Sequence, residues 1–285
     1  MRKVILILVF VFGALSVHAE VLLVEDFDYN FGSSVAGNGG WFLQYEGGTD
    51  LITISNGLEF EGYAQSGIGN GALIACESSS YIPHIAFPTE ITSGSVYVAF
   101  MIQATLPVGK SGWLMCFRDN QITNSAFNEN GRLLINTDNQ LGISVCKPQS
   151  STVEYMQQEL DAQTVYLAVL KYEIKSGAKN DETSLYVFSE MPSAEPALPT
   201  VGPLKDANVA DINPKHLLLR GFDEDAWILI DGIRAATTWE EAVLGVSSAL
   251  PSAKTMKAVS KRFENGRLVI TRGADSFSVL GTQIE

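Results

Sequence analysis

From residue 20 onward the chain is a succession of short apolar runs cut by Gly, Asn, Asp and Pro, and almost none of them carries helical periodicity. Strand-like runs fall at 21–28, 51–54, 57–61, 72–76, 95–104, 112–118, 132–136, 141–146, 164–174, 183–189, 215–220 and 226–234. A strand buries its apolar side only against another layer. About a dozen strands with little helix therefore predict an all-β fold, an antiparallel two-sheet β-sandwich of the jelly-roll class. Ser95 to Ala104 alternates, with Val96, Val98, Phe100 and Ile102 on one face and Tyr97, Ala99, Met101 and Gln103 on the other. Val165 to Ile174 is apolar on both faces, as expected of a strand inside a two-sheet stack. Asn130-Gly131, between 124–128 and 132–136, predicts a two-residue hairpin turn. Helix is expected in few places. Residues 157–163 are ambiguous, and Thr238-Trp239-Glu240-Glu241 reads as a capping box opening one or two turns through Leu244.

The N-terminus has a different physical character. Arg2 and Lys3 precede the apolar run Val4–Val17, and Val17-His18-Ala19 ends in a small residue suited to cleavage. The run is short of the ~20 residues that span a bilayer. Residues 1–19 are therefore expected to be a signal peptide, with a secreted or cell-surface product and no membrane span after cleavage. Cleavage would take Arg2 and Lys3 from the 19 basic residues and leave all 32 acids, moving the net charge from −13 to −15. Such a balance repels phosphate backbones and anionic lipid, so nucleic-acid binding is not expected. It does suit Ca²⁺. Cys76, Cys116 and Cys146 show no C-x-x-C spacing. Cys116 and Cys146 fall in apolar runs that could be neighbours, and buried free thiols are the simpler expectation.

Residues 20–246 form the expected main domain. Ser247 to Arg262, rich in Ser, Ala and Lys, reads as a linker, and 263–285 as a short β tail with a tight turn at Asn265-Gly266. So few short strands cannot make a core of their own, so the tail either docks or serves as an address.

Four segments carry a family resemblance: VEDFDYNFGSSVAGNGGW (Val24 to Trp41), SVYVAFMIQAT (Ser95 to Thr105), TVYLAVLKYEI followed by DETSLYVF (Thr164 to Phe188), and LIDGIRAATTWEEAV (Leu229 to Val243). In this order they resemble an exported bacterial family of laminin G-like and concanavalin A-like jelly rolls. Such domains end on an Asp-Glu-Ile-Arg strand followed by Thr-Thr-Trp, and here Gly232 stands in place of the Glu. The tail ENGRLVITRGADSFSVLGTQIE resembles the front half of a type IX secretion C-terminal sorting domain, without its terminal basic strand. The resemblance implies a fold, a location and contact with that secretion machinery. It transfers no catalytic constellation.

Candidate chemistry is sparse. Ala104 to Ser111 matches a relaxed phosphate-loop pattern, but a strand follows and Pro107 removes an N–H, so coincidence is the better reading. His84 reads as a loop residue and His216 as a strand-edge residue, far apart in sequence. Asp223-Glu224-Asp225 are consecutive and read as a solvated turn, not as the spaced acid pair that glycoside hydrolysis needs. Asp26 and Asp28 stand two apart on the first strand. Asp231 lies on the last, on the face of Trp227, Leu229 and Ile233. First and last strands usually pair in jelly rolls. These three acids are thus the candidate structural Ca²⁺ ligands, with hydrogen bonds from backbone N–H groups to Asp231 as the alternative. Trp41, Tyr45, Tyr63, Tyr81 and Trp113 are candidate sugar-stacking aromatics, Trp41 having a structural reading as well. Trp227 and Trp239 read as packing residues. The sequence thus points to a non-catalytic binding or adhesion module, with glycan or extracellular-matrix partners. Alternatives are a structural envelope protein or a polysaccharide hydrolase or lyase.

Overall fold

Alternation along Ser95–Ala104 sets the layering. In the computed structural model, Val96, Val98, Phe100, Ile102 and Ala104 enter the main core, whereas Tyr97, Ala99 and Met101 join a second apolar cluster on the opposite side of the same strand. The structure describes residues 19–43, 52–77, 82–106, 109–120, 128–147 and 151–246, with the strand backbones at 259–264, 267–272, 275–278 and 283–284. Residues 1–18 of the expected signal peptide lie outside the described residues, as do Tyr45 and Tyr81.

The chain divides into two compact units, Met1–Ser247 and Ser248–Glu285. Strands of the first, in chain order, are β1 (Val21–Glu25), β2 (Phe42–Leu43), β3 (Thr53–Ser55), β4 (Gly71–Glu77) and β5 (Pro83–Ala86). β6 (Gly94–Leu106), β7 (Gly112–Arg118), β8 (Glu129–Ile135), β9 (Leu141–Ser144) and β10 (Val153–Tyr155) follow. The last are β11 (Tyr166–Ile174), β12 (Glu182–Phe188), β13 (Val201–Leu204), β14 (His216–Leu219) and β15 (Phe222–Ala236). Among the described residues they form an eight-stranded sheet, β13-β12-β11-β6-β15-β4-β3 with β1 beside β15, and a seven-stranded sheet, β10-β9-β8-β7-β14-β5-β2. All pairings are antiparallel, and the inner faces share one core that includes Phe100, Phe117, Leu133, Leu170, Leu217 and Ile230. The predicted sandwich is the observed one.

Several local expectations are corrected. Asn130-Gly131 is not a hairpin turn; both residues lie inside β8. Pairing with β7 shifts there: Met115 faces Leu133 and Phe117 faces Asn130, so β8 carries one extra residue, a bulge with Gly131 at φ +61. Residues 57–61 are not a strand but a loop that buries Leu58 and Phe60 on the eight-stranded sheet. Asp223-Glu224-Asp225 lie within β15, not in a turn, and their side chains are outside the described set. β2, β5, β10 and β13 are too short to have announced themselves by periodicity. Ahead of the helical turn Glu240–Leu244, the Thr238 hydroxyl accepts the Glu241 N–H at 3.3 Å, half of the expected capping box.

In the second unit, β16 (Val259–Glu264), β17 (Arg267–Arg272), β18 (Asp275–Ser278) and β19 (Gln283–Ile284) pair in order. β16 starts inside the stretch read as linker and pairs with β17 from Val259 with Arg272 to Glu264 with Arg267, the expected turn residues Asn265 and Gly266 lying outside the described residues.

A Cβ on Gly131 would stand 2.8 Å from Phe117 Cδ2 and 3.1 Å from Tyr172 Cδ2, whereas one on Gly94, also at positive φ, meets nothing within 4 Å. Gly131→Ala is therefore expected to cost about 1–3 kcal/mol more stability than Gly94→Ala in denaturant titrations, overpacking being the only difference in kind. Equal losses would contradict the bulge packing.

Candidate ligand-binding face

The middle of the outer face of the eight-stranded sheet is covered. Leu58, Phe60 and Tyr63 from one loop, with Trp239, Ala242 and Val243 from the helical turn, cover Ala99, Met101, Leu167 and Val169. Asp231 clips that loop down: its Oδ2 accepts the Leu58 N–H at 2.7 Å and its Oδ1 the Gly232 N–H at 2.5 Å. The Tyr63 hydroxyl donates to Gly232 O at 2.8 Å. Gly232 has φ +57 and bulges β15, so Ile233 turns into the main core and does not share the face of Asp231 as expected. A Cβ there would approach Gln65 and Met101 to 2.9 Å, which is why a bulkier residue does not fit.

The three candidate metal ligands are only partly brought together. β1 pairs with β15, as expected, but stops at Glu25, and Phe27 takes φ +49. The two-residue alternation is lost there: Asp28 is exposed, while Asp26 accepts a hydrogen bond from Gln65 Nε2 at 2.6 Å. Burial first, then the charges of Asp26 and Glu25, push the Asp231 carboxyl up to about 7, against the pull of its two backbone N–H donors. Among the described residues no three His, Cys, Asp or Glu side chains are placed to hold a metal ion. The donors around Asp231 are N–H groups, which suit a carboxylate and do not form a cation cage. Glu25, unremarked in the sequence, is the hub of this corner: it accepts from Phe27 N at 2.7 Å, Tyr29 Oη at 2.8 Å and Trp41 Nε1 at 2.7 Å. Trp41 is thus a structural residue, fully buried, and Tyr63 is buried too. Trp227, read as packing, is 49% exposed.

An open cleft of about 570 Å³ holds Glu90, Asp119, Asp181 and Asp211. Its inner acids are committed to the fold: Asp181 accepts from the Tyr172 hydroxyl and Lys175 N, both at 2.8 Å, and Asp211 from the N–H groups of Asn180 and Asp181.

The outer rows of the seven-stranded sheet are buried too, Trp113 among them, but their chemistry differs. This outer face combines polar and aromatic side chains in rows that cross the strands. Phe42 of β2 faces His84 of β5, His84 faces Leu218 of β14, and Leu218 faces Cys116 of β7; Arg132 on β8 follows. In the next row His216 faces Arg118, which faces Glu129. Glu129 bridges two guanidinium groups, Arg118 at 2.8 Å and Arg132 at 2.6 Å, all three nearly buried. Arg132 and Arg220 lie over the Trp113 ring at 4.8 and 5.2 Å from its centre. Phe42 is 65% exposed at the open end.

His84 and His216, distant in sequence, are neighbours with ring centres 5.5 Å apart, and His84 is a strand residue rather than a loop residue. Burial, then His216 and Arg118, lower the His84 pKa to about 4. Burial, then the Arg118 and Lys215 charges, also lower that of His216 against the hydrogen bond to Asp119. Both imidazoles are neutral at pH 7. The carbonyl of Asp119 lies 3.1 Å from His216 Nδ1, which sets that nitrogen as the donor and Nε2 as an acceptor. His84 Nδ1 is buried without a hydrogen-bond partner. Only the pairing of β5 with β14 shows this; no local signal in the sequence does. Cys116 and Cys146 are free thiols, Cys116 on this outer face and Cys146 against the main core. Cys76's side chain lies outside the described residues.

No protein-family model and no curated protein matches the chain. Among solved structures it is similar to the T. cruzi calreticulin globular domain, at 13% identity and TM-score 0.47 over 83% of this chain and 96% of that one. A protein of unknown function from Shewanella oneidensis MR-1 is similar at 12% identity and TM-score 0.47, over 78% and 88%. An endo-1,3-beta-glucanase from Streptomyces sioyaensis is similar at 12% identity and TM-score 0.42, over 78% and 98%. At these values they are likenesses of fold alone.

The two histidines impose a signed pH dependence. A folded-state pKa below the ordinary 6.5 means stability held above pH 6.5 and lost as pH falls toward 4; Asp231, raised from 3.8 to about 7, acts oppositely, supporting the fold fully below 3.8 and losing that support as pH rises to 7. Because the Asp231 contribution runs the other way over the same window, the test is a difference: as pH falls from 6.5 to 4, the Tm of the native protein should fall relative to that of His84→Gln. An unchanged slope in that variant would contradict a neutral, buried His84.

Proposed function

We propose that this protein is a secreted, non-catalytic carbohydrate-binding β-sandwich, and that glycan docks on the seven-stranded sheet at its exposed Phe42 edge. The observation carrying this reading is the exposed Phe42 ring beside His84, with ring centres 6.4 Å apart, where the His84 Nδ1 lacks a partner. Sugars need an apolar platform for a ring face and neutral groups that donate and accept at hydroxyls. Phe42 supplies the exposed platform, and the His84 imidazole beside it is the nearest neutral polar group. Glu129 has both oxygens engaged by arginines, a bonding pattern that positions guanidinium groups and leaves it ill suited to proton transfer. Export rests on the basic and apolar pattern of residues 1–19. Among the described residues no helix is long and apolar enough to cross a membrane.

A glycan array probed with the protein should give a defined set of hits, and Phe42→Ala or His84→Gln should weaken them at least tenfold while the melting curve stays cooperative. Silence across a broad array, or hits indifferent to both substitutions, would overturn the reading. N-terminal sequencing of the exported protein should begin at Glu20; an intact Met1 would contradict export by cleavage.

A further inference from the structure

A cavity of about 300 Å³ opens at the other end of the sandwich, and no charged side chain lines it. Its floor is Met156, Tyr166 and Val187, the margin of the main core. Its rim is the exposed Gln157, Gln158, Ser189 and Thr200. Met156 follows β10, the edge of the seven-stranded sheet, whereas Val187 lies on β12 and Thr200 precedes β13, the edge of the eight-stranded one, so the cavity bridges the two sheets. The rim is held in place by the fold. The Met156 N–H donates to Leu141 O at 2.8 Å, Gln140 Nε2 to Gln157 O at 3.1 Å, and the Leu160 N–H to Asn139 O at 2.9 Å. Thr200 Oγ1 accepts the Val187 N–H at 3.0 Å and keeps its own hydrogen to donate. A ligand therefore meets a preformed site and spends little on ordering it.

The chemistry of the lining selects the ligand. Side-chain amides and hydroxyls both donate and accept, which matches a ring of hydroxyl groups, and the apolar floor matches the C–H face of the same ring. A carboxylate or sulfate would find no opposite charge here. The cavity also shares Ser189 with a wider cleft lined by Glu59, Glu61 and Glu190, which repels anions. Its volume is at the small end of the ~300–1,000 Å³ range of small-molecule sites, room for a sugar unit and not for a chain. We infer that this cavity is a second saccharide site, taking one neutral sugar unit, free or at the end of a chain. β10 and β2 are opposite edges of the seven-stranded sheet, six strand spacings or about 29 Å apart, so this site is separate from the Phe42 edge.

The test is a titration of the intact protein, carrying ¹³C-methyl methionine, with glucose, galactose and mannose and with the uronate of each. At least one neutral sugar should move the Met156 methyl resonance to saturation, and its uronate should bind at least tenfold more weakly. Oligosaccharides ending in that sugar should move the same resonance if the natural ligand is a chain end, and the free sugar alone should do so if it is not. Replacing both rim amides, Gln157→Ala with Gln158→Ala, should weaken binding at least tenfold with an unchanged melting curve, whereas Phe42→Ala should leave it intact. A Met156 methyl that stays fixed with every sugar overturns the site, as does binding indifferent to the double substitution. Uronates that bind as well as their neutral counterparts overturn the neutral assignment. Array hits lost in Phe42→Ala stand or fall independently of all three results.

Discussion

Burial of β6 on both sides is the constraint from which the rest follows. One face of this strand meets the opposing sheet through Val96, Val98, Phe100 and Ile102, and the other is roofed by Leu58, Phe60, Tyr63 and the helical turn around Trp239. Fully burying a large apolar side chain is worth about 1.5–3 kcal/mol, so a strand buried on both faces holds the eight-stranded sheet at its centre. It also removes this part of that sheet's outer face from service. On the seven-stranded sheet the outer rows hold histidines, arginines and Trp113, which are buried as well, and Phe42 is the exposed ring at their edge.

The roof depends on a few polar contacts. Asp231 and Tyr63 fasten the loop to β15, and Glu25 gathers three donors at the neighbouring corner. Buried carboxylates are tolerated only with such bonding. Gly232 makes the geometry possible by turning the strand at a left-handed backbone position. A family-like Asp-Glu-Ile-Arg strand would place a side chain where Gln65 and Met101 already stand.

Much of the fold was legible because periodicity is local. The alternation of Ser95–Ala104 and the two-sided apolarity of Val165–Ile174 map directly onto β6 and β11. The Asn130-Gly131 signal misled because the dipeptide favours positive φ, which serves a bulge as well as a turn. Phe117 and Tyr172, the neighbours that decide between them, come from other strands. Asp26 and Asp28 were paired by an alternation that Phe27 interrupts. The proposed docking edge was least legible, since Phe42, His84 and His216 meet only through the pairing of strands remote in the chain, and β2 and β5 are too short to leave a periodic trace.

The central claim is that glycan docks on the seven-stranded sheet at its exposed Phe42 edge, beside neutral imidazoles. Imidazole ¹⁵N correlation spectra of the protein, recorded at neutral pH during titration with an oligosaccharide that binds, test it most directly. The account predicts that the resonances of His84 and His216 move together and saturate with the binding isotherm. Resonances that stay fixed while binding proceeds would contradict it.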